Sequence, residues 1–396
     1  MDVSIAIKGV AFQQQLMKKR SIPYSTQCIE ADDIKSVVRA LKSAFLTQGP
    51  EVALFEKKVA KYCGAKYAVT FNSGTSSLHG ACFAAGIGKG DEVITSPITF
   101  VASANCVVYC GGIPVFADIS NDGTALISID QIKKKITSKT KAIIPVDYAG
   151  HPCDMDEINN IAKKHGLVVI EDAAHSLGAL YKGKRVGTLA DMTVLSFHAV
   201  KNITTGEGGA VITDNKEYYD KLIMFRTHGI TRDVQGDVPW YYEMQTLGYN
   251  YRLTDFQCAL GISQLKKLDR FVRIRRDLAG KYNKALSGID CIELPVEKPW
   301  AESSYHLYPM RFSSKLLSKK KQIFNRLRKL GIGVNVHYIP VPMHPYYRKK
   351  FGYEKGDFPN AEAYYESEIS IPTHQQMTNK DVNYIVKNIN RIINKQ

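Results

Sequence analysis

Residues 67–86 read "YAVTFNSGTSSLHGACFAAG". The opening run, Tyr67 to Phe71, is rich in β-branched and aromatic residues, the composition of a strand. It stops at Asn72-Ser73-Gly74-Thr75, and a stretch of small and apolar residues suited to a helix follows. Strand, tight turn and helix together form the repeating unit of an α/β domain. The same alternation continues along the chain in "DEVITSP" (91–97), "IPVFADI" (113–119), "KAIIPVDYAG" (141–150), "LVVIEDAAHS" (167–176), "MTVLSFHAV" (192–200) and "GGAVITD" (208–214). Several of these runs are almost continuously apolar, as strands buried on both faces beneath crossover helices must be. A mainly parallel central sheet in a large domain is predicted.

Outward from that sheet the pattern changes. "EADDIKSVVRALKSAF" (30–45) carries acidic residues at its start and apolar residues at three- and four-residue spacing, which predicts a helix. A long helical stretch covers 252–286. After it, "SSYHLYPMRF" (303–312) reads as a strand and "KKKQIFNRLRKLG" (319–331) as a helix. "IGVNVHYIPVPMHPYYRKKFG" (332–352) reads as a strand running into a Pro- and Tyr-rich loop. Three regions result: a loosely held N-terminal extension (1–20), a large domain (21–270) and a smaller C-terminal α+β domain (271–396).

Composition narrows the function. The 396 residues are 44% hydrophobic, and no apolar run reaches membrane-spanning length. The N-terminus lacks the order of charge, apolar block and small-residue site that marks a signal peptide. The eight cysteines are scattered with no CxxC pair, which predicts buried free thiols, no metal site and a cytoplasmic protein. The net charge is +15, yet the basic residues sit at helical spacing between apolar ones, as on solvated helix faces. Neither nucleic acid nor membrane is an expected partner; a small anionic substrate suits the positive field better.

Ligands of such sheets gather where strands end. At "FNSGTSS", Gly74 and Thr75 open a helix whose free N–H groups can hold a phosphate. At "VVIEDAAHS", a strand ends on Glu171 and Asp172, for which helix capping is the default role. At "SFHAVKNITTGEGG" (196–209), Lys201 stands between a strand and a glycine-rich turn that permits close approach of a ligand. A phosphate cradle, an acid and an amine are the set that pyridoxal 5'-phosphate requires: a Schiff-base lysine, a carboxylate on the ring nitrogen and a helix N-terminus on the phosphate. Phe100, in "SPITFVASAN", could stack on the ring, although periodicity alone assigns it to the core.

The ordered segments "NSGT", "SPITFVAS", "EDAAHSLG", "SFHAVKNITTGEGG" and "GYNYRLTDFQCALG" resemble the DegT/DnrJ/EryC1/StrS sugar aminotransferases over nearly all of the chain after residue 20. The resemblance implies the aspartate-aminotransferase-like fold (PLP fold type I) and pyridoxal phosphate as cofactor. It implies Lys201 as the catalytic residue, alternating between cofactor anchor and proton shuttle. Asp172 would pair with the ring nitrogen and His175 would sit near the phenolic oxygen. Gly74, Thr75 and Ser196 would hold the phosphate, joined by Asn250 from a second subunit, so that a homodimer shares its active sites. Arg252 would support the same loop.

Further segments, "YSTQ", "LTQGP", "VDYAG", "YHLYPM", "NVHYIP" and "ESEISIP", are similar to members that serve pseudaminic acid biosynthesis. That similarity implies amination of the 4-keto group of a UDP-linked 2-acetamido-2,6-dideoxy-hexos-4-ulose, with L-glutamate as donor. It implies substrate contacts from Tyr24, from Ala44, Phe45, Leu46 and Thr47, and from Asn335, Val336, His337 and Tyr338. Three alternatives stand beside it: an aminotransferase for another nucleotide keto-sugar, a sugar dehydratase with the same cofactor, and a non-catalytic relative. Dehydratases of this kind carry His at the position of Lys201.

Overall fold

The computed structural model describes residues 21–232 and 238–394. The N-terminal extension, 1–20, lies outside the described residues. Among the described residues no helix is long and apolar enough to cross a membrane.

Seven strands form the central sheet: β1 (Tyr67–Phe71), β2 (Glu92–Thr95), β3 (Ile113–Phe116), β4 (Thr140–Ile144), β5 (Val168–Asp172), β6 (Met192–Ser196) and β7 (Gly209–Thr213), in the order β1-β7-β6-β5-β4-β2-β3. All pairings are parallel except those of β7, which runs antiparallel to both β1 and β6. Six strands therefore deliver their C-terminal ends to one edge. Val69, Ile94, Ile143, Ile170, Val194 and Val211 are fully buried, which explains the unbroken apolar runs. Each such side chain contributes roughly 1.5–3 kcal/mol of hydrophobic stabilisation.

Local chemistry sets the helix starts. Ser73 accepts a hydrogen bond from the Ser76 N–H and so caps the helix Gly74–Ala84 at its N-terminus. Glu30 caps Ala31–Leu41 through a reciprocal capping box with Asp33. The helical stretch predicted over 252–286 is two helices, Asp255–Leu265 and Leu268–Leu286. The second spans two cores: Leu268, Phe271 and Val272 pack with Leu195 and Phe197, whereas Leu278, Tyr282 and Leu286 pack with Tyr308, Phe312 and Ile323. The later residues also form an antiparallel three-stranded sheet from Ile292–Glu293, Tyr308–Phe312 and Glu368–Ile371.

One predicted strand is absent. Residues 332–340 form no strand and pair with the sheet only through a bridge between Asn335 and Ser370. The following Pro-rich segment contains a short helix, Pro345–Phe351, with its proline at the first position. Val341, Tyr347, Phe358 and Tyr364 pack beside Ile94, Phe116 and Ile143, so this later segment lies against the β2–β4 side of the central sheet.

Candidate active site

At the C-terminal edge of the sheet lies a cavity of about 610 Å³. β5 delivers Asp172 to it, β6 delivers Ser196, and the helix Gly74–Ala84 opens into it with Gly74 and Thr75. Lys201 reaches it from the loop after β6. That loop is folded on itself: Thr204 Oγ1 and the Thr205 N–H both donate to the Phe197 carbonyl, and the Lys201 N–H donates to the His198 carbonyl. Asn202 ties it to the β5 side through a bond from Nδ2 to the Leu177 carbonyl, 2.8 Å.

Asp172 is buried. Its Oδ2 accepts from Ser103 Oγ at 2.6 Å and its Oδ1 from the Ala174 N–H at 3.2 Å. Burial raises its pKa, opposed by the Ser103 and Ala174 bonds and by the Lys201 charge. A cation held against it would favour its ionised form further. Lys201 is half-buried, and desolvation lowers its pKa to about 8; the charge of Asp172 opposes this and that of Arg275 adds to it. The amine is thus available as a nucleophile and base near neutral pH.

Glu171, beside Asp172 in sequence, is no helix cap. It points to the opposite face of β5, fully buried, where its Oε2 accepts from Thr193 Oγ1 at 2.7 Å. Burial and the neighbouring Asp147 hold its carboxyl in the protonated form well past the usual range.

Phe100 also departs from the periodicity. It is 58% exposed and lines the cavity, so it is not a core residue. His175 stands on the far wall. Its Nε2 is 3.2 Å from the Tyr338 hydroxyl, its buried Nδ1 has no hydrogen-bond partner, and burial holds the ring uncharged.

Tyr24, Asn335, Val336, His337 and Tyr338 complete the mouth. His337 is held from three sides. Its N–H donates to Glu368 Oε2 at 2.8 Å, its carbonyl accepts from Tyr148 Oη at 2.5 Å, and its Nδ1 lies 2.8 Å from Ser370 Oγ. Those buried bonds do for this segment what a strand ladder would otherwise do.

The remaining expected residues lie elsewhere. Asn250 is exposed and outside the cavity, bridged to Thr227. Ala44, Phe45, Leu46 and Thr47 are all exposed and do not line it. Arg252 lines a separate crevice beside Glu56 and Arg226. Three contributors went unseen in the sequence reading: Ser103, which orients Asp172; His306, which lines the cavity with its ring centroid 4.4 Å from that of His175; and Arg275 behind it. Ser103 and His306 both sit inside segments quoted above, but nothing in their spacing marks them.

A parallel sheet that brings an acid, an amine and a helix N-terminus to one edge defines the class of fold type I aminotransferases. The chain belongs to the DegT/DnrJ/EryC1/StrS aminotransferase family, which it matches over residues 27–390, and it is an aminotransferase of that family. Family members are pyridoxal-phosphate-dependent. Two curated relatives resemble it over nearly their full length. The UDP-4-amino-4,6-dideoxy-N-acetyl-beta-L-altrosamine transaminase of Campylobacter jejuni is 41% identical, covering 94% of this chain and 98% of its own. The spore coat polysaccharide biosynthesis protein SpsC of Bacillus subtilis is 40% identical, covering 96% and 99%. Among solved structures, Helicobacter pylori PseC, an aminotransferase of pseudaminic acid biosynthesis, superposes with a TM-score of 0.90 at 36% identity, covering 95% of this chain and 100% of that one. The PLP form of the putative sugar aminotransferase Spr1654 from Streptococcus pneumoniae gives 0.89 at 33% identity, covering 95% and 99%.

Proposed function

We propose that this chain transfers an amino group from L-glutamate to the 4-keto group of a UDP-linked 2-acetamido-2,6-dideoxy-hexos-4-ulose, with pyridoxal 5'-phosphate as cofactor, in pseudaminic acid biosynthesis. The observation that carries the reading is the meeting of Lys201 and Asp172 in one cavity with the Gly74 turn and Ser196.

The residues present fit the cofactor. A Cβ at Gly74 would lie 3.1 Å from Ser196 Cβ, and one at Gly209 only 2.6 Å from the Ser73 carbonyl oxygen, so the glycines keep a close-fitting anion cradle open. The exposed face of Phe100 offers a stacking surface, and the unpartnered Nδ1 of His175 a polar contact. When bound, pyridoxal phosphate supplies the electron sink that lets a carbon beside nitrogen lose and regain a proton. Asp172 holds a negative charge against the ring nitrogen. Lys201, whose pKa burial lowers to about 8, would hold the cofactor through Nζ and move the proton at the reacting carbon. Ser196 and the helix N-terminus orient the phosphate. Tyr24 and the segment 335–338, fixed by Glu368 and Tyr148, close over the sugar nucleotide.

The enzyme works as a homodimer that shares its sites. Ile34, Val38, Leu41, Phe45, Leu46 and Leu54 are exposed along one region of sequence, and Trp240, Tyr242, Met244 and Leu247 along another. Surfaces this apolar suit a subunit interface. The exposed loop 44–47 lies on the first of these stretches and exposed Asn250 just beyond the second, from where each would reach a neighbouring subunit's cavity. Eight free cysteines, five of them buried, suit the reducing cytoplasm.

The similarity to SpsC keeps a second keto-sugar substrate in view. Incubation with L-glutamate and a panel of UDP- and dTDP-linked 3- and 4-keto-sugars, with the product read by NMR, separates the two. The reading requires an amine at C4 of the UDP-linked 2-acetamido sugar; amination only of dTDP-sugars, or only at C3, refutes it.

A further inference from the structure

Side chains alternate along the strand Glu368–Ile371, so Glu368 and Ser370 share one face of it. Both are buried, Glu368 completely. That face meets His337, and the three residues form a closed ring of hydrogen bonds. Oε2 of Glu368 accepts from the His337 N–H at 2.8 Å, Oε1 of Glu368 is 2.5 Å from Ser370 Oγ, and Ser370 Oγ is 2.8 Å from His337 Nδ1. The other ring nitrogen of His337, Nε2, lies 3.3 Å from Asn335 Nδ2. His337 and Asn335 line the cavity, whereas Ser370 and Glu368 do not.

Donors and acceptors can be matched around this ring in two ways. Burial and the Lys201 charge keep the His337 side chain neutral, so it carries one proton. The His337 main-chain N–H can only donate. It therefore reserves Oε2 as an acceptor and leaves Oε1 to carry a proton whenever Glu368 has one. When Glu368 is ionised, Oε1 accepts from the Ser370 hydroxyl, Ser370 Oγ accepts from Nδ1–H, and Nε2 is bare. When Glu368 is protonated, Oε1–H donates to Ser370 Oγ, the hydroxyl donates to Nδ1, and the ring proton sits on Nε2. Asn335 suits either arrangement, because its amide offers an N–H or a carbonyl oxygen.

Burial pushes the Glu368 carboxyl up to about 8, opposed by Ser370, the His337 N–H and the Lys320 charge. The neighbouring Tyr148, Tyr338 and Tyr364 are kept protonated by burial. Arg311, opposite Glu368 across the sheet, is paired with Glu293. Lys320 donates to the Tyr365 carbonyl, and burial lowers its pKa.

We propose that Glu368 is a positioning residue that sets the tautomer of His337 through Ser370: ionised, it makes Nε2 an acceptor, and protonated, it makes Nε2 a donor to a phosphate or carbonyl oxygen of the ligand. That a sugar nucleotide uses this edge rests on the function proposed for the cavity; the coupling of the three residues does not.

The test is 15N NMR of the full-length protein labelled at its ten histidines, with the His337 signals assigned by His337→Gln. Protonated and bare ring nitrogens resonate far apart, so the tautomer is read directly. From neutral to alkaline pH the wild type should pass from Nε2–H to Nδ1–H, with a midpoint at about 8. Glu368→Gln imitates the protonated carboxyl: its oxygen must accept from the His337 N–H, so its amide N–H donates to Ser370. It should show Nε2–H at every pH. Ser370→Ala cuts the path and should abolish the switch. A wild type that keeps one tautomer throughout, or a Ser370→Ala protein that still switches, overturns the proposal whether or not Glu368→Gln folds. So does a Glu368→Gln protein with wild-type thermal unfolding and its proton on Nδ1. UDP added to the same samples should shift the His337 ring signals. If it shifts none while the tautomer responds as expected, the proposal stands and the place given to the sugar nucleotide falls.

Discussion

Ser103 Oγ donates a 2.6 Å hydrogen bond to Oδ2 of Asp172, joining the helix Ala102–Tyr109 to the end of β5. The bond fixes the carboxylate's orientation and favours its charged form inside a buried site. Removing it by Ser103→Ala should cost about 1.5–3 kcal/mol of the interaction that Asp172 makes with a bound cationic ring, weakening pyridoxal phosphate binding roughly 10- to 100-fold. Since the change raises the Asp172 pKa further, the loss should deepen as pH falls. Equilibrium dialysis at two pH values checks this, and an affinity loss independent of pH would contradict it.

Gly74→Ala tests the phosphate cradle. The new Cβ would press on Ser196 at 3.1–3.2 Å, forcing that side chain to yield by a few tenths of an ångström. Overpacking of this kind costs about 1–3 kcal/mol. Most of it should appear as weaker binding, about tenfold in pyridoxal phosphate affinity by fluorescence titration, with little change in urea midpoint. Unaltered affinity would place the phosphate elsewhere.

These two sites differ in how readily the sequence displays them. The central strands were legible because burial on both faces demands unbroken apolar runs, and the Lys201 loop because a strand ends before it and a cluster of glycines closes it. Asn335–Tyr338 misled because its apolar residues face a cavity and the interior without a partner strand; Glu368, Tyr148 and Ser370, distant in sequence, do the holding. Phe100 looked like core because an exposed aromatic lining a cavity has the same periodicity as a packed one. Ser103, His306 and Arg275 act through tertiary contacts alone, to which no local pattern corresponds.

Stability should respond to acid through His79. The ring is buried among Tyr109, Phe225, Tyr249 and Tyr251, and burial lowers its pKa from 6.5 to about 4. Between those values the unfolded chain binds a proton that the folded chain refuses, so stability present above pH 6.5 is lost as pH falls through this window. His79→Phe removes that proton uptake. Its unfolding free energy should fall less steeply with acid than that of the wild type, by a slope of one proton; parallel curves would contradict the assignment.

Asn250 carries the claim of shared sites. Asn250→Ala homodimers should retain pyridoxal phosphate poorly, and Lys201→Ala homodimers should be inactive. Mixing the two, with subunit exchange under mild urea, creates one site with both residues intact. Recovered transamination is expected; its absence in verified mixed dimers would place Asn250 and Lys201 of one site on the same chain.

The most direct test of the account is borohydride reduction of the full-length protein after incubation with pyridoxal phosphate, followed by peptide mass spectrometry. The account predicts a phosphopyridoxyl group on Lys201, and none on any peptide of Lys201→Ala in the same stoichiometric yield. Stoichiometric labelling of another lysine, or none of Lys201, would contradict it.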